Sequence, residues 1–109
     1  MYPLHNRSNL ICGVNLKQYG TLAGGYGQSI ADNDGLWTSV YVVAESLRYA
    51  TTQTADALNN AWNSFLAMEK LCNMSGIRGL PARSFFHGTQ APTSGHWHNS
   101  TVYPGYVWK

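Results

Sequence analysis

Between residues 34 and 76 apolar side chains recur at steps of three and four, and this periodicity constrains the fold more than any other feature of the chain. Leu36, Val40, Val43, Ala44, Leu47 and Ala50 line one face of a helix. Asp32 or Asp34 is available to cap its N-terminus. Val40, Val42 and Val43 would also suit a strand, but the helical spacing continues too long for one. Thr51, Thr52, Gln53 and Thr54 interrupt the pattern. Leu58, Ala61, Trp62, Phe65, Met68 and Cys72 then mark a second amphipathic helix, which Gly76 can end as a left-handed cap. So short a connection forces the two helices antiparallel, as an αα-hairpin.

Large side chains, Trp37, Tyr41, Trp62 and Phe65, fall on several faces of this hairpin, which therefore carries more apolar surface than two helices can bury against each other. It needs neighbours. The flanks supply no further helical periodicity. Residues 1–33 are rich in Gly, Asn, Ser and Tyr and read as a loop-rich entry. Residues 77–109 read as an aromatic, His-rich segment of loops or short strands. The expected fold is mainly α, a single partial domain built on the hairpin of residues 34–76 with long loops, continued by the rest of a parent chain.

Only 11% of the 109 residues are charged, less than half of the roughly 25% usual in soluble domains. Four Trp, seven Tyr and eleven Gly favour stacking and neutral hydrogen bonding, as sugar- or peptide-handling surfaces do. The net charge of +2 comes from scattered residues, without the basic run that would track phosphates, so nucleic acid is not an expected partner. The most apolar stretch, from Val40 to Ala44, is far too short to span a bilayer. Three N-x-S/T tripeptides, at Asn6, Asn73 and Asn99, are candidate glycosylation sites and point to an extracellular location. Cys12 and Cys72 allow one disulfide or two thiols.

Asp32-Asn33-Asp34-Gly35-Leu36-Trp37 places two carboxylates and an aromatic at a helix start. One Asp can cap the helix; facing a cleft, Asp32 or Asp34 can instead act as general acid or base, with Trp37 and Tyr41 against a sugar ring. His87 and His98 are candidates for proton transfer. His96 and His98 lie one residue apart, yet no third ligand accompanies them, so no metal site is expected. Arg83 can hold a substrate carboxylate in its planar fork, or pair with Asp32 or Asp34. Trp97 and Tyr103 belong to an aromatic-rich terminal stretch that suits a binding wall. No motif for a cofactor or a common nucleophile is present, and no cofactor is expected.

The runs from Asp32 to Ser39, Glu45 to Thr51 and Met74 to Ser84, with a weaker echo from Tyr103 to Lys109, resemble large proteins with the six-hairpin (α/α) toroid of glycosidases and polysaccharide lyases. The resemblance implies an interior fragment of a secreted protein acting on a glycan or polysaccharide, by hydrolysis or elimination. The alternatives are a non-catalytic glycan-binding or sensor domain and a small self-associating interaction module.

Overall fold

The computed structural model describes residues 2–30 and 32–109. It is mixed α/β, which corrects the expectation of a mainly α chain: three small antiparallel sheets accompany the helices. A short helix α1 (Tyr2–His5) leads into the two-residue strands β1 (Asn6–Arg7) and β2 (Leu10–Ile11), followed by the ribbon β3 (Gly13–Gln18) and β4 (Thr21–Ser29). Helices α2 (Asp34–Thr52) and α3 (Ala55–Asn73) come next. Strands β5 (Phe85–His87), β6 (His98–Asn99) and β7 (Tyr106–Trp108) form the last sheet, in the order β5-β7-β6.

The entry segment read as a loop is thus largely strand. Its alternation is visible once the register is known. Val14 faces Gln28 and Leu16 faces Tyr26, so Val14, Leu16 and Tyr26 share one face of the ribbon; the register then shifts, and Gln18 faces Thr21. The Tyr19-Gly20 turn closes the ribbon, with Gly20 at φ 72°, a conformation that costs a side-chain-bearing residue but not glycine. Tethers to the body lie at the root, where Gln28 Nε2 donates to the carbonyls of Leu4 and Asn6.

The two helices follow the sequence periodicity. Their link is Gln53-Thr54, and Gln53 takes the left-handed conformation at φ 54° while its N–H donates to Tyr49 O at 2.8 Å. Asn33 occupies the N-cap position of α2, without a side-chain cap bond, in place of either aspartate. α3 ends at Asn73, three residues before Gly76, whose N–H then donates to Asn73 O. The chain passes Gly76 at φ 71°, where an added Cβ would sit 2.8 Å from Thr101 Oγ1, so glycine is needed for space as well as conformation.

The core lies between α3 and the last sheet. Leu10, Ala67, Leu71, Met74, Ala82 and Phe85 are buried together, with Tyr103, Tyr106 and Trp108 packed against them. Lys70 lays its ammonium 3.5 Å from the centre of the Tyr106 ring and within 5.5 Å of those of Tyr103 and Phe85. Lys109 N donates to Ser84 O, and Lys109 O accepts from Arg83 N and Ser84 N, so the terminal strand is pinned to the segment before β5.

What the helices bury reverses the sequence expectation. On α2 the buried residues are Asp34 and Thr38, whereas Leu36, Val40, Val43 and Leu47 are each more than half exposed. On α3 the buried stripe is Ala57, Ala61, Ser64, Ala67 and Leu71, mostly small residues that let elements approach closely. Leu58, Trp62 and Phe65 stand in solvent.

Candidate functional site

The two aspartates expected to face a cleft have separate environments. Asp34 is fully buried and its Oδ2 is ion-paired to Arg7, with Ser84 Oγ donating to the same oxygen at 2.6 Å. Arg7 also reaches Ser84 Oγ at 3.0 Å and the Ser29 carbonyl at 3.3 Å, and its guanidinium lies 4.2 Å from the centre of the Phe86 ring. The group thereby joins β1, the end of β4, the start of α2 and the segment before β5. A buried charge is tolerated when it is paired and hydrogen-bonded; these contacts satisfy Asp34 Oδ2, while Asp34 Oδ1 and Arg7 Nε are buried without a hydrogen-bond partner among the described residues. Asp32 sits outside, bonded to Lys109 Nζ at 2.5 Å. That hydrogen bond holds its carboxyl below the ordinary value, ahead of the opposing effect of desolvation, with the charges of Lys109 and Arg83 adding to the lowering.

The other residues singled out are dispersed. His87 is exposed, with Nδ1 3.0 Å from Thr89 Oγ1 and its ring edge-on to Tyr106. His98 lies over Trp108, the ring centres 4.9 Å apart. Trp97 meets Phe86 edge-on and donates Nε1 to Ser94 O. Tyr103 packs on the core, and Arg83 is exposed. Among the described residues no three His, Cys, Asp or Glu side chains cluster as metal ligands. Of the sequon asparagines, Asn73 and Asn99 are exposed, while Asn6 is half-buried and its Oδ1 accepts from Asn9 N at 2.8 Å.

Cys12 and Cys72 are both free thiols, the first buried and the second exposed. Burial raises the pKa of Cys12, with the Arg7 charge opposing and the Asp34 charge reinforcing. Its S–H donates to His5 O at 3.3 Å.

Two surfaces are more distinctive than these single residues. The first is the outer face of the hairpin. Thr38 Oγ1 accepts the Ile11 N–H, which fixes the β-facing side of α2. At 3.6 residues per turn Leu36, Val40, Val43 and Leu47 all lie on the opposite side. Ala67 marks the core-facing side of α3, and Leu58 and Phe65 lie opposite it, with Phe65 stacked on Trp62 at 5.7 Å. Both apolar stripes therefore look away from the β elements.

The second is a groove along the other flank of α2, passing from Trp37, Val40 and Ala44 over Ile11 and Tyr41 to a polar end at His5, Glu45, Arg48, Asp56 and Asn60. Sequence reasoning placed Trp37 and Tyr41 in a binding surface but missed this polar end. Glu45 and Arg48, spaced i and i+3, carry no signal of a site by themselves, and only the hairpin brings Asp56 and Asn60 beside them.

The chain matches no family model, and no curated protein or solved structure is significantly similar to it. A small domain with three helices and several antiparallel sheets also replaces the expected six-hairpin toroid. The glycosidase and lyase expectations that came with that resemblance have no support in this fold, and neither do those of a carbohydrate ligand and secretion. Among the described residues no helix is long and apolar enough to cross a membrane.

Proposed function

We propose that the chain is a small self-associating interaction module that docks a second copy through the outer face of the α2–α3 hairpin. The observation that carries this reading is the inverted burial of the two helices: apart from Leu71 the residues they bury are polar or small, while Leu36, Val40, Val43, Leu47, Leu58, Trp62 and Phe65 face outward. An amphipathic helix buries its apolar stripe in its stable state, and an exposed contiguous stripe of this size marks an association surface.

The amount of surface agrees. The accessible area is 6981 Å² for 12.0 kDa, about 1,000 Å² above the roughly 6,000 Å² expected for a monomer of that mass. The radius of gyration, 14.9 Å, likewise exceeds the roughly 13 Å of a domain this long. A standard interface removes about 800 Å² from each partner, which this excess can supply.

A second copy fits because the face has no charged residue between its apolar positions until Glu69 at its end. Such a surface can meet itself about a two-fold axis without opposing like charges at its centre. Two hairpins packed in this way form a four-helix layer. Val43→Glu and Phe65→Glu test the reading: each should halve the solution mass while the helical circular dichroism persists. A mass unchanged by both substitutions would overturn it.

A further inference from the structure

We propose that the groove between β2 and α2 binds an ammonium group carried on an apolar tail. The groove has two chemically different ends. Around Trp37, Val40 and Ala44 its volume is about 560 Å³ and its walls are apolar; around Glu45, Asp56 and Asn60 it is about 500 Å³, and its walls, still mostly apolar, carry a few polar groups. Ile11 and Tyr41 line both parts, so the two adjoin along the flank of α2. Small-molecule sites combine this range of volume with mostly apolar walls and a few convergent polar groups. From Trp37 to Arg48 the helix rises about 16 Å, which accommodates an extended alkyl chain of eight carbons together with its head group.

The charge of the head group follows from the hydrogen-bonding inventory of the polar end. Its one cation, Arg48, is already engaged, donating to Glu45 Oε2 at 2.9 Å and to Asp56 Oδ2 at 2.7 Å. Asn60 Nδ2 also donates to Glu45 Oε2, at 3.2 Å. His5 Nδ1 lies 2.9 Å from the Cys12 carbonyl, which can only accept, so Nδ1 donates there. Two carboxylates against a single committed guanidinium leave an excess of negative charge. An ammonium brings three donors and one positive charge, and so complements this end, whereas a carboxylate or phosphate opposes it. The side chain of Glu45 is only 13% exposed, which shields its interaction with a bound cation from solvent screening.

The site lies on the flank of α2 turned towards β2 and shares Val40 with the outer face of the hairpin, but its polar groups, Glu45, Asp56 and Asn60, take no part in the proposed self-association. Calorimetric titration with octylammonium, octanoate and octanol at pH 8 tests it. Octylammonium should bind at least about tenfold more tightly than the other two. Glu45→Gln should remove most of that preference, and Asp56→Asn, at a more exposed position, should reduce it. Ala44→Phe should weaken octylammonium by filling the apolar end. Val43→Glu, which breaks the proposed dimer, should leave the affinity unchanged. Equal binding of all three probes, or a preference that survives both Glu45→Gln and Asp56→Asn, would overturn the proposal.

Discussion

Arg7 and Asp34, 27 residues apart in the chain, form an ion pair with both side chains almost wholly removed from solvent. Ser84, 50 residues beyond Asp34, completes the contact through its hydroxyl. One buried cluster thus ties the first β elements, the start of α2 and the approach to the last sheet.

Removing one partner should therefore cost far more than a surface pair would. Asp34→Ala leaves the Arg7 guanidinium buried without its counter-charge, an expected loss of about 3–5 kcal/mol. Replacing both, as Arg7→Met with Asp34→Leu, should recover much of it. Urea denaturation of the single and double variants measures this, and a loss below about 1 kcal/mol for Asp34→Ala would mean that the pair behaves as a solvated one.

The Asp32–Lys109 pair gives a pH signature of known sign. Because the folded state holds the Asp32 carboxyl below its unfolded value, the stabilisation is present above about pH 4 and is lost as pH falls through the lowered value. Lys109→Ala should raise the Asp32 titration midpoint towards the ordinary carboxylate value. Carboxyl carbon chemical shifts followed between pH 2 and 6 report the change, and an unmoved midpoint would contradict the pairing.

Much of the hairpin was legible because a 3.6-residue period over two 19-residue helices is a strong signal. Which face is buried was not. The apolar stripe Leu36, Val40, Val43 and Leu47 marks a helix face intended for burial, but nothing in the spacing says that its cover lies outside the chain. The ribbon was hidden for another reason: Gly24 stands where an alternating strand would carry an apolar side chain, and a Cβ there would come 2.8 Å from Gln18 Cβ. The last sheet joins Phe85 to Trp108 and His98 to Trp108 through strands of two or three residues, too short to show a period. Of the candidate site, Trp37 and Tyr41 were visible as aromatics, whereas the polar end of the groove depends on a pairing between helices that local spacing does not encode.

The β3–β4 ribbon should behave as a separable arm. A two-stranded ribbon packed on little else is marginal in water, and Leu16, Leu22 and Tyr26 are exposed on it. Amide hydrogen exchange should show residues 15–27 exchanging much faster than the core turns of α3. Replacing that segment with a short Gly-Ser link should leave the thermal midpoint within about 4 °C. Protection of the ribbon equal to that of α3 would show that it is held by a further contact.

The two thiols should differ sharply in reactivity. Cys72 is exposed, whereas Cys12 is buried with a raised pKa, so its thiolate is both scarce and shielded. Mass spectrometry after brief iodoacetamide treatment should find one adduct, at Cys72, and a second only after denaturation. Equal labelling of the native protein would contradict the burial of Cys12.

Self-association is tested most directly by sedimentation equilibrium of the unmodified chain across a concentration series from about 1 to 100 μM, the range in which interfaces of this size assemble. The account predicts a mass rising to twice the 12.0 kDa of the single chain. A mass that stays at 12.0 kDa throughout would mean that the outer face of the hairpin does not pair with itself, and would contradict the central claim.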